Sequence, residues 1–184
     1  MNLLKTNIIG VYIINSPTFI DDRGTFLESY NKETFNTNIA KINFIQDNES
    51  KSRKGVLRGL HFQKPPYAQA KLVRCVEGKV LDVAVDIRDG SDTYGEYITV
   101  ELSAENKKQV FIPRGFAHGF LVLSNSAIVS YKVDNSYEPA YDAGIRWDDP
   151  MLNIQWGVNE SEVLVSEKDA KLPFFSEFKT PFTN

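Results

Sequence analysis

Apolar and polar residues alternate along most of this chain in short runs broken by Gly, Pro, Asn and Asp. Period-two alternation puts every second side chain on one face of a strand. It predicts strands in "GVYIIN" at 10–15, "GTFLESY" at 24–30 after the turn signal "DDRG", "NFIQDNESKS" at 43–52, "VLRGLHFQ" at 56–63 and "EYITVELS" at 96–103. "SAENKKQVFIP" turns into a further strand. Two stretches read as hairpins. In "AKLVRCVEGKVLDVAVDIR" the turn falls on Glu77-Gly78-Lys79, and Leu81, Val83, Val85 and Ile87 share a face. "AHGFLVLSN" with "AIVSYKVDN" reads as the second. Helix is scarce. "NKETFNTNIA" is the best early helix, with Asn31 as its N-cap. "SEKDAKLPFFSEF" reads as a short C-terminal helical tail capped by Ser166, and "YDAGIRWDDPMLNIQWG" as loop.

About ten short strands with turns every 8–12 residues point to an all-β sandwich or barrel. A double-sheet jelly roll fits the size, as one domain over residues 1–184 with short peripheral helices. Such a fold often encloses a cavity between its sheets. His61 and Gln63 then point the same way, and Lys71, Val73 and Cys75 share a face on the next strand, so an imidazole, an amide and an ammonium can line one pocket.

Composition narrows the function classes. With 42% apolar and 24% charged residues the chain is an ordinary globular one, and its net charge of −3 gives no case for nucleic acid. No run approaches a membrane span. The N-terminal apolar run alternates and lacks a small-residue cleavage site, which argues against a signal peptide. A single cysteine, Cys75, cannot form an internal disulfide. It reads as a small buried apolar residue, and the whole points to the cytoplasm.

Candidate chemistry gathers at a few positions. A metal is the first thought for a jelly roll with histidines. The metal-binding cupins carry His-x-His on one strand, but here Gln63 stands two after His61 and His118 is the only other imidazole, so no metal is expected. His61 is either a core histidine or a base for abstracting a proton beside a carbonyl. Lys71 is either a solvated strand lysine or a fixed charge that stabilises an enolate, and Tyr131 either core filler or a phenolic acid. Arg23 in "DDRGTF" and Arg58 in "LRGLH" sit beside glycines, where a phosphate can approach the backbone. In "PRGFAHGF" two glycines bracket His118. Asp82 and Asp86, alternating in "LDVAVDIR", compete as carboxylate partners of His61, and spacing does not decide between them.

"DDRGTFLESY", "GVLRGLHFQ", "AKLVRCVEGKVLDVAVDIRDGSDTYG", "VFIPRGFAHGFLVLS", "GIRWDDP" and "SEKDA" occur in the order seen in the dTDP-4-dehydrorhamnose 3,5-epimerase family, which the chain resembles from about residue 10 to 173. The resemblance implies a cupin-type jelly-roll homodimer without metal or organic cofactor. It implies a dTDP-linked 4-keto-6-deoxyhexose as substrate, inverted at C3 and C5. By resemblance the base is His61, its carboxylate partner Asp169, the acid Tyr131 and the enolate-stabilising lysine Lys71. Substrate contacts fall on Arg23, Phe26, Glu28, Gln46, Asn48, Arg58, His118, Asp142 and Lys168. Two positions depart from the family pattern. Ser136-Tyr137 replaces a tyrosine pair, and Asp142 stands where the family tends to place Glu. Loss of a stacking ring costs about 1–3 kcal/mol of base binding. The same residues leave other readings open: a single-centre epimerase, a 3,4-ketoisomerase, a metal-dependent cupin or a non-catalytic nucleotide-sugar binder.

Overall fold

The structure, a computed structural model, describes residues 2–183. Thirteen strands and one α-helix follow the chain in this order: β1 (Asn2–Lys5), β2 (Tyr12–Asn15), β3 (Thr18–Asp21), β4 (Gly24–Leu27), α1 (Lys32–Asn38), β5 (Gln46–Arg53), β6 (Leu57–Gln63), β7 (Lys71–Glu77), β8 (Lys79–Asp86), β9 (Tyr97–Ser103), β10 (Lys108–Ile112), β11 (Phe116–Val122), β12 (Ser126–Val133) and β13 (Asp142–Gly144). Two antiparallel sheets face each other, ordered β1-β2-β10-β7-β12-β5 and β13-β6-β11-β8-β9, and β3–β4 forms a separate hairpin. This is the expected jelly roll.

Both predicted hairpins are corrected. β7 pairs with β10 and β12, whereas β8 pairs with β11 and β9. The connection through Gly78 therefore carries the chain from one sheet to the other. Gly78 has φ +73°, and a Cβ there would stand 2.0 Å from the Ser126 carbonyl oxygen. Only glycine turns this corner. β11 and β12 likewise belong to opposite sheets. A tight turn between alternating strands looks alike in sequence whether the chain folds back or crosses over.

The space between the sheets is filled by Val73, Cys75, Val80, Ala84, Val100, Leu102, Val110, Ile112, Phe120, Val122 and Val129. β8 and β11 are buried on both faces because the C-terminal third covers the outside of the five-stranded sheet. Trp147, Trp156, Ile145 and the partly buried Phe175, Phe178 and Phe182 pack there against Leu57, Leu60, Val83, Val85 and Leu121. This cover absorbs the apolar face read in Leu81, Val83, Val85 and Ile87. α1 lies on the outside of the six-stranded sheet and buries Phe35 against Phe111, Leu72 and Ile14, which contributes about 2–3 kcal/mol. Asn31 caps it as expected, accepting the Thr34 N–H at 3.0 Å. The expected C-terminal helix is instead two single 3-10 turns, Asp169–Lys171 and Phe175–Glu177, with Pro173 between them. β2 lies inside its sheet, whose edge strands are β1 and β5. Among the described residues no helix is long and apolar enough to cross a membrane.

Candidate active site

One end of the inter-sheet space is left open, because polar residues occupy inward positions there. It forms two lobes that share His61, Lys71 and Tyr131. One lobe, about 530 Å³, is also lined by Ser50, Arg58, His118, Lys168 and Asp169. The other, about 390 Å³, is lined by Gln46, Asn48, Gln63, Gln69, Tyr137 and Asp142.

The β6 backbone explains how Arg58 and His61 reach the same cavity. Residues three apart on a regular strand point to opposite faces. The β6–β11 register, however, slips between His118↔His61 and Phe120↔Arg58. The extra residue restores both side chains to one face, as a bulge does. Gly59 makes the slip possible, since a Cβ there would lie 2.6 Å from the Gly119 Cα.

His61 Nε2 bonds Asp169 Oδ1 at 2.8 Å. Asp169 is buried and set by two further contacts. Its Oδ2 accepts the Gly59 N–H at 3.3 Å, and its own N–H donates to the Ser166 hydroxyl at 3.0 Å. Burial pushes the Asp169 carboxyl up, but the His61, Gly59 and Ser166 contacts outweigh it and leave the group below its ordinary value. With Nε2 held by the carboxylate, the other ring nitrogen is the one free to take a proton. A second pair stands beside the first. His118, directly across from His61 on β11, bonds Asp82 at 2.8 Å. Burial pulls the His118 imidazole down, against the pull of Asp82, and the charge of Lys71 adds to the fall. Asp86 is occupied elsewhere by Arg88, Ser91 and Thr93. Of the three carboxylates, Asp169 bonds His61, Asp82 bonds His118, and Asp86 ties a surface turn.

The opposite wall comes from the six-stranded sheet. Tyr131 lies across from Val73 on β7 and Asn48 on β5. Burial raises the Tyr131 phenol above its ordinary value, with Arg58 opposing. Lys71, two residues from Val73 on the same face, has no carboxylate within ion-pair distance among the described residues. Desolvation pushes it down to about 8, against the charges of Asp82 and Asp142. The cavity therefore places an imidazole on one sheet and a phenol and an ammonium on the other.

The remaining residues assigned by resemblance fall into four groups. Arg58 is exposed, donates from Nε to the Ser52 hydroxyl at 3.1 Å, and reaches the first lobe. Gln46 and Asn48 bond each other at 2.7 Å on the rim of the second. Asp142 and Lys168 are paired with one another. Arg23, Phe26 and Glu28 stand apart from both lobes. Arg23 is on the β3–β4 turn, ion-paired to Asp21 at 2.6 Å, Phe26 is 70% exposed, and Glu28 bonds Asn31. Sequence reasoning missed Ser50 and Ser52, although the alternation Gln46, Asn48, Ser50, Ser52 along β5 is visible in the sequence.

Among the described residues no three His, Cys, Asp or Glu side chains are clustered to hold a metal ion. A larger opening, about 1350 Å³, lies elsewhere, around Trp147, Asn153 and Trp156. Its main carboxylates are already engaged. Asp148 pairs with Arg146, Asp149 accepts three backbone N–H groups, and Glu162 bonds Asn159. Its lining includes no histidine or tyrosine, whereas His61, Lys71, His118 and Tyr131 line the smaller cavity.

A family model described as dTDP-4-dehydrorhamnose 3,5-epimerase matches residues 5–177. The chain belongs to the dTDP-4-dehydrorhamnose 3,5-epimerase family. The dTDP-4-dehydrorhamnose 3,5-epimerase of Shigella flexneri is 54% identical over 170 residues, 92% of this chain and 93% of that protein. The crystal structure of the Elizabethkingia anophelis dTDP-4-dehydrorhamnose 3,5-epimerase matches with TM-score 0.92 at 50% identity, over 96% of this chain and 97% of that one. A Legionella pneumophila dTDP-6-deoxy-D-glucose-3,5-epimerase, solved in complex with dTDP-4-keto-L-rhamnose, matches with TM-score 0.93 at 44% identity over 97% of this chain and 94% of that one. These likenesses span the whole epimerase fold, so the cupin-type jelly roll is that of the family.

Proposed function

We propose that this epimerase inverts C3 and C5 of dTDP-4-dehydro-6-deoxy-D-glucose, giving dTDP-4-dehydro-L-rhamnose, with His61, Asp169, Lys71 and Tyr131 as the catalytic residues. The observation that carries the reading is the placement of His61 and Tyr131 on facing sheets of one cavity. Inversion needs a proton removed from one face of a carbon and returned to the other, so base and acid must flank the ring. The C4 ketone acidifies the hydrogens on both neighbouring carbons, and one pair of groups serves both. His61 takes the proton, and Asp169 stabilises the imidazolium. The electrons pass to the C4 oxygen, where the Lys71 ammonium holds the enolate, a charge that develops only during reaction. Tyr131 then protonates the carbon from the opposite face. Each inversion leaves His61 protonated and Tyr131 deprotonated, and exchange with solvent resets both. These residues complete the cycle without calling on a metal or coenzyme.

Arg58, Gln46, Asn48 and His118 are the contacts for the diphosphate and sugar within one chain. Arg23, Phe26 and Glu28 are proposed to act in a homodimer, where the β3–β4 hairpin of one subunit reaches the cavity of the other. Supporting this, Phe19, Ile20 and Phe26 on that hairpin are 64%, 79% and 70% exposed, an apolar patch that a second copy would cover. The direct test is turnover of dTDP-4-keto-6-deoxyglucose coupled to a rhamnose-forming reductase. Steady reductase signal supports the reading, and its absence overturns it.

A further inference from the structure

The first lobe of the cavity is polar over most of its wall and apolar on one side, where Val56, Phe120 and Leu164 line it. Phe120 stands two residues past His118 on β11, so both point inward. At 5% exposure it closes the floor where the inter-sheet core begins. Val56, just ahead of β6, packs on the same core and pairs in parallel with Leu164. Backbone bonds fix the pair in place: Val122 N–H to the Val56 carbonyl at 3.0 Å, Leu57 N–H to the Leu164 carbonyl at 2.9 Å, and Leu164 N–H to the Gly55 carbonyl at 2.8 Å. Even so, Leu164 is 42% exposed and Val56 only half-buried. The patch therefore faces open space, and none of the three residues takes part in the proton chemistry.

We propose that Val56, Phe120 and Leu164 seat the C6 methyl group of the sugar and make the site selective for 6-deoxy over 6-hydroxy sugars. The inference rests on the epimerase reading above. The methyl is the one apolar substituent of a 4-keto-6-deoxyhexose, since the other ring carbons carry hydroxyls, the ketone or the diphosphate link. Its place on the ring agrees with the patch. C5 lies between C4, whose oxygen Lys71 holds, and the ring oxygen, which also joins C1 and its diphosphate. The methyl thus leaves the ring beside the diphosphate, and Val56 stands two residues from Arg58, the proposed diphosphate contact, with both lining the lobe. A methyl against three hydrocarbon side chains leaves water at a gain. A hydroxyl on C6 would leave water there without finding a partner on those side chains.

The test uses two nucleotide sugars without the C4 ketone, dTDP-6-deoxy-D-glucose and dTDP-D-glucose, which differ only in the C6 hydroxyl and are not turned over. Calorimetry on the unsubstituted protein should show the 6-deoxy compound binding about tenfold more tightly. Leu164→Asn and Val56→Thr nearly keep the size of each side chain and put a hydrogen-bonding group on the patch. Each should narrow the preference to less than about threefold, while dTDP alone binds within about twofold of its affinity for the unsubstituted protein. Equal binding of the two sugars by the unsubstituted protein, or a preference that Leu164→Asn retains in full, would overturn the methyl seat. The exposure of Leu164 lets Leu164→Asn decide the matter even if Val56→Thr fails to fold. Turnover of dTDP-4-keto-6-deoxyglucose by the same unsubstituted protein separates the two claims. Turnover with equal binding of the two sugars removes only the methyl seat, and failure to turn over removes the epimerase reading with it.

Discussion

Replacing Lys71 by methionine should make the protein more stable and far less active. The perturbation removes an ammonium from the inter-sheet cavity and keeps the length and apolar stem of the side chain. Lys71 falls from 10.5 to about 8, chiefly through desolvation. Each factor of ten in proton affinity corresponds to about 1.4 kcal/mol, which caps the cost of the buried charge at about 3 kcal/mol. Lys71 is only half-buried, so water at the cavity lowers the expected gain to about 1–3 kcal/mol. For a chain of this size that is a rise in Tm of about 3–9 °C. Asp82 and Asp142 keep their partners His118 and Lys168 in the variant, so no carboxylate is stranded. Because the folded-state value lies below the unfolded one, the unfolded chain binds more protons between about pH 8 and 10.5, and the wild-type protein should gain stability across that window. The variant should not. Loss of the enolate contact should lower kcat by about 10²–10³-fold. Scanning calorimetry at several pH values, with kinetics on the same samples, reads all of this. A destabilised variant, or one with kcat close to wild type, would refute the reasoning.

Wild-type turnover should decline as pH rises through about 8, because Lys71 is an ammonium below that value and a neutral amine above it; a rate that stays flat to pH 10 would count against its role. Tyr131→Phe should lower kcat by about 10²–10⁴-fold while still exchanging substrate hydrogens with solvent, since the base remains and only delivery from the opposite face is lost. Mass spectrometry of substrate recovered from D₂O reads the exchange, and absence of exchange would place Tyr131 before proton removal. Asp169→Asn should cost about 10²–10⁴ in kcat with little change in KM, and a change confined to KM would deny that it acts through His61. Mixing inactive Arg23→Ala with inactive His61→Asn protein should restore activity if subunits share sites, because a mixed dimer then holds one intact cavity. Sedimentation of each variant checks that dimers form, and continued inactivity of the mixed dimer would confine Arg23 to its own chain.

The jelly roll was legible because its strands alternate cleanly and turn often. The shared face of Lys71, Val73 and Cys75 follows from period two and is what the structure has. Connectivity was not legible. Gly78 makes the same local signal at a crossover as at a hairpin, and only the positions of β10, β11 and β12 decide which it is. Arg58 and His61 share a cavity through a one-residue slip opposite Gly119, which no periodicity shows. Asp169 lies 108 residues from His61 along the chain, so only the resemblance named the pair, while the alternation of β8 offered Asp82 and Asp86. The tail read as a helix breaks at Pro173 into separate turns, Asp169–Lys171 and Phe175–Glu177.

The central claim is that a single imidazole on one sheet and a single phenol on the other move the hydrogens at both carbons beside the ketone. Turnover in D₂O, coupled to the reductase and followed by NMR of the product, tests it most directly. The account predicts deuterium at C3 and at C5 of the wild-type product and at neither carbon with His61→Asn. Deuterium at one carbon only, or incorporation that survives in the His61 variant, would contradict it.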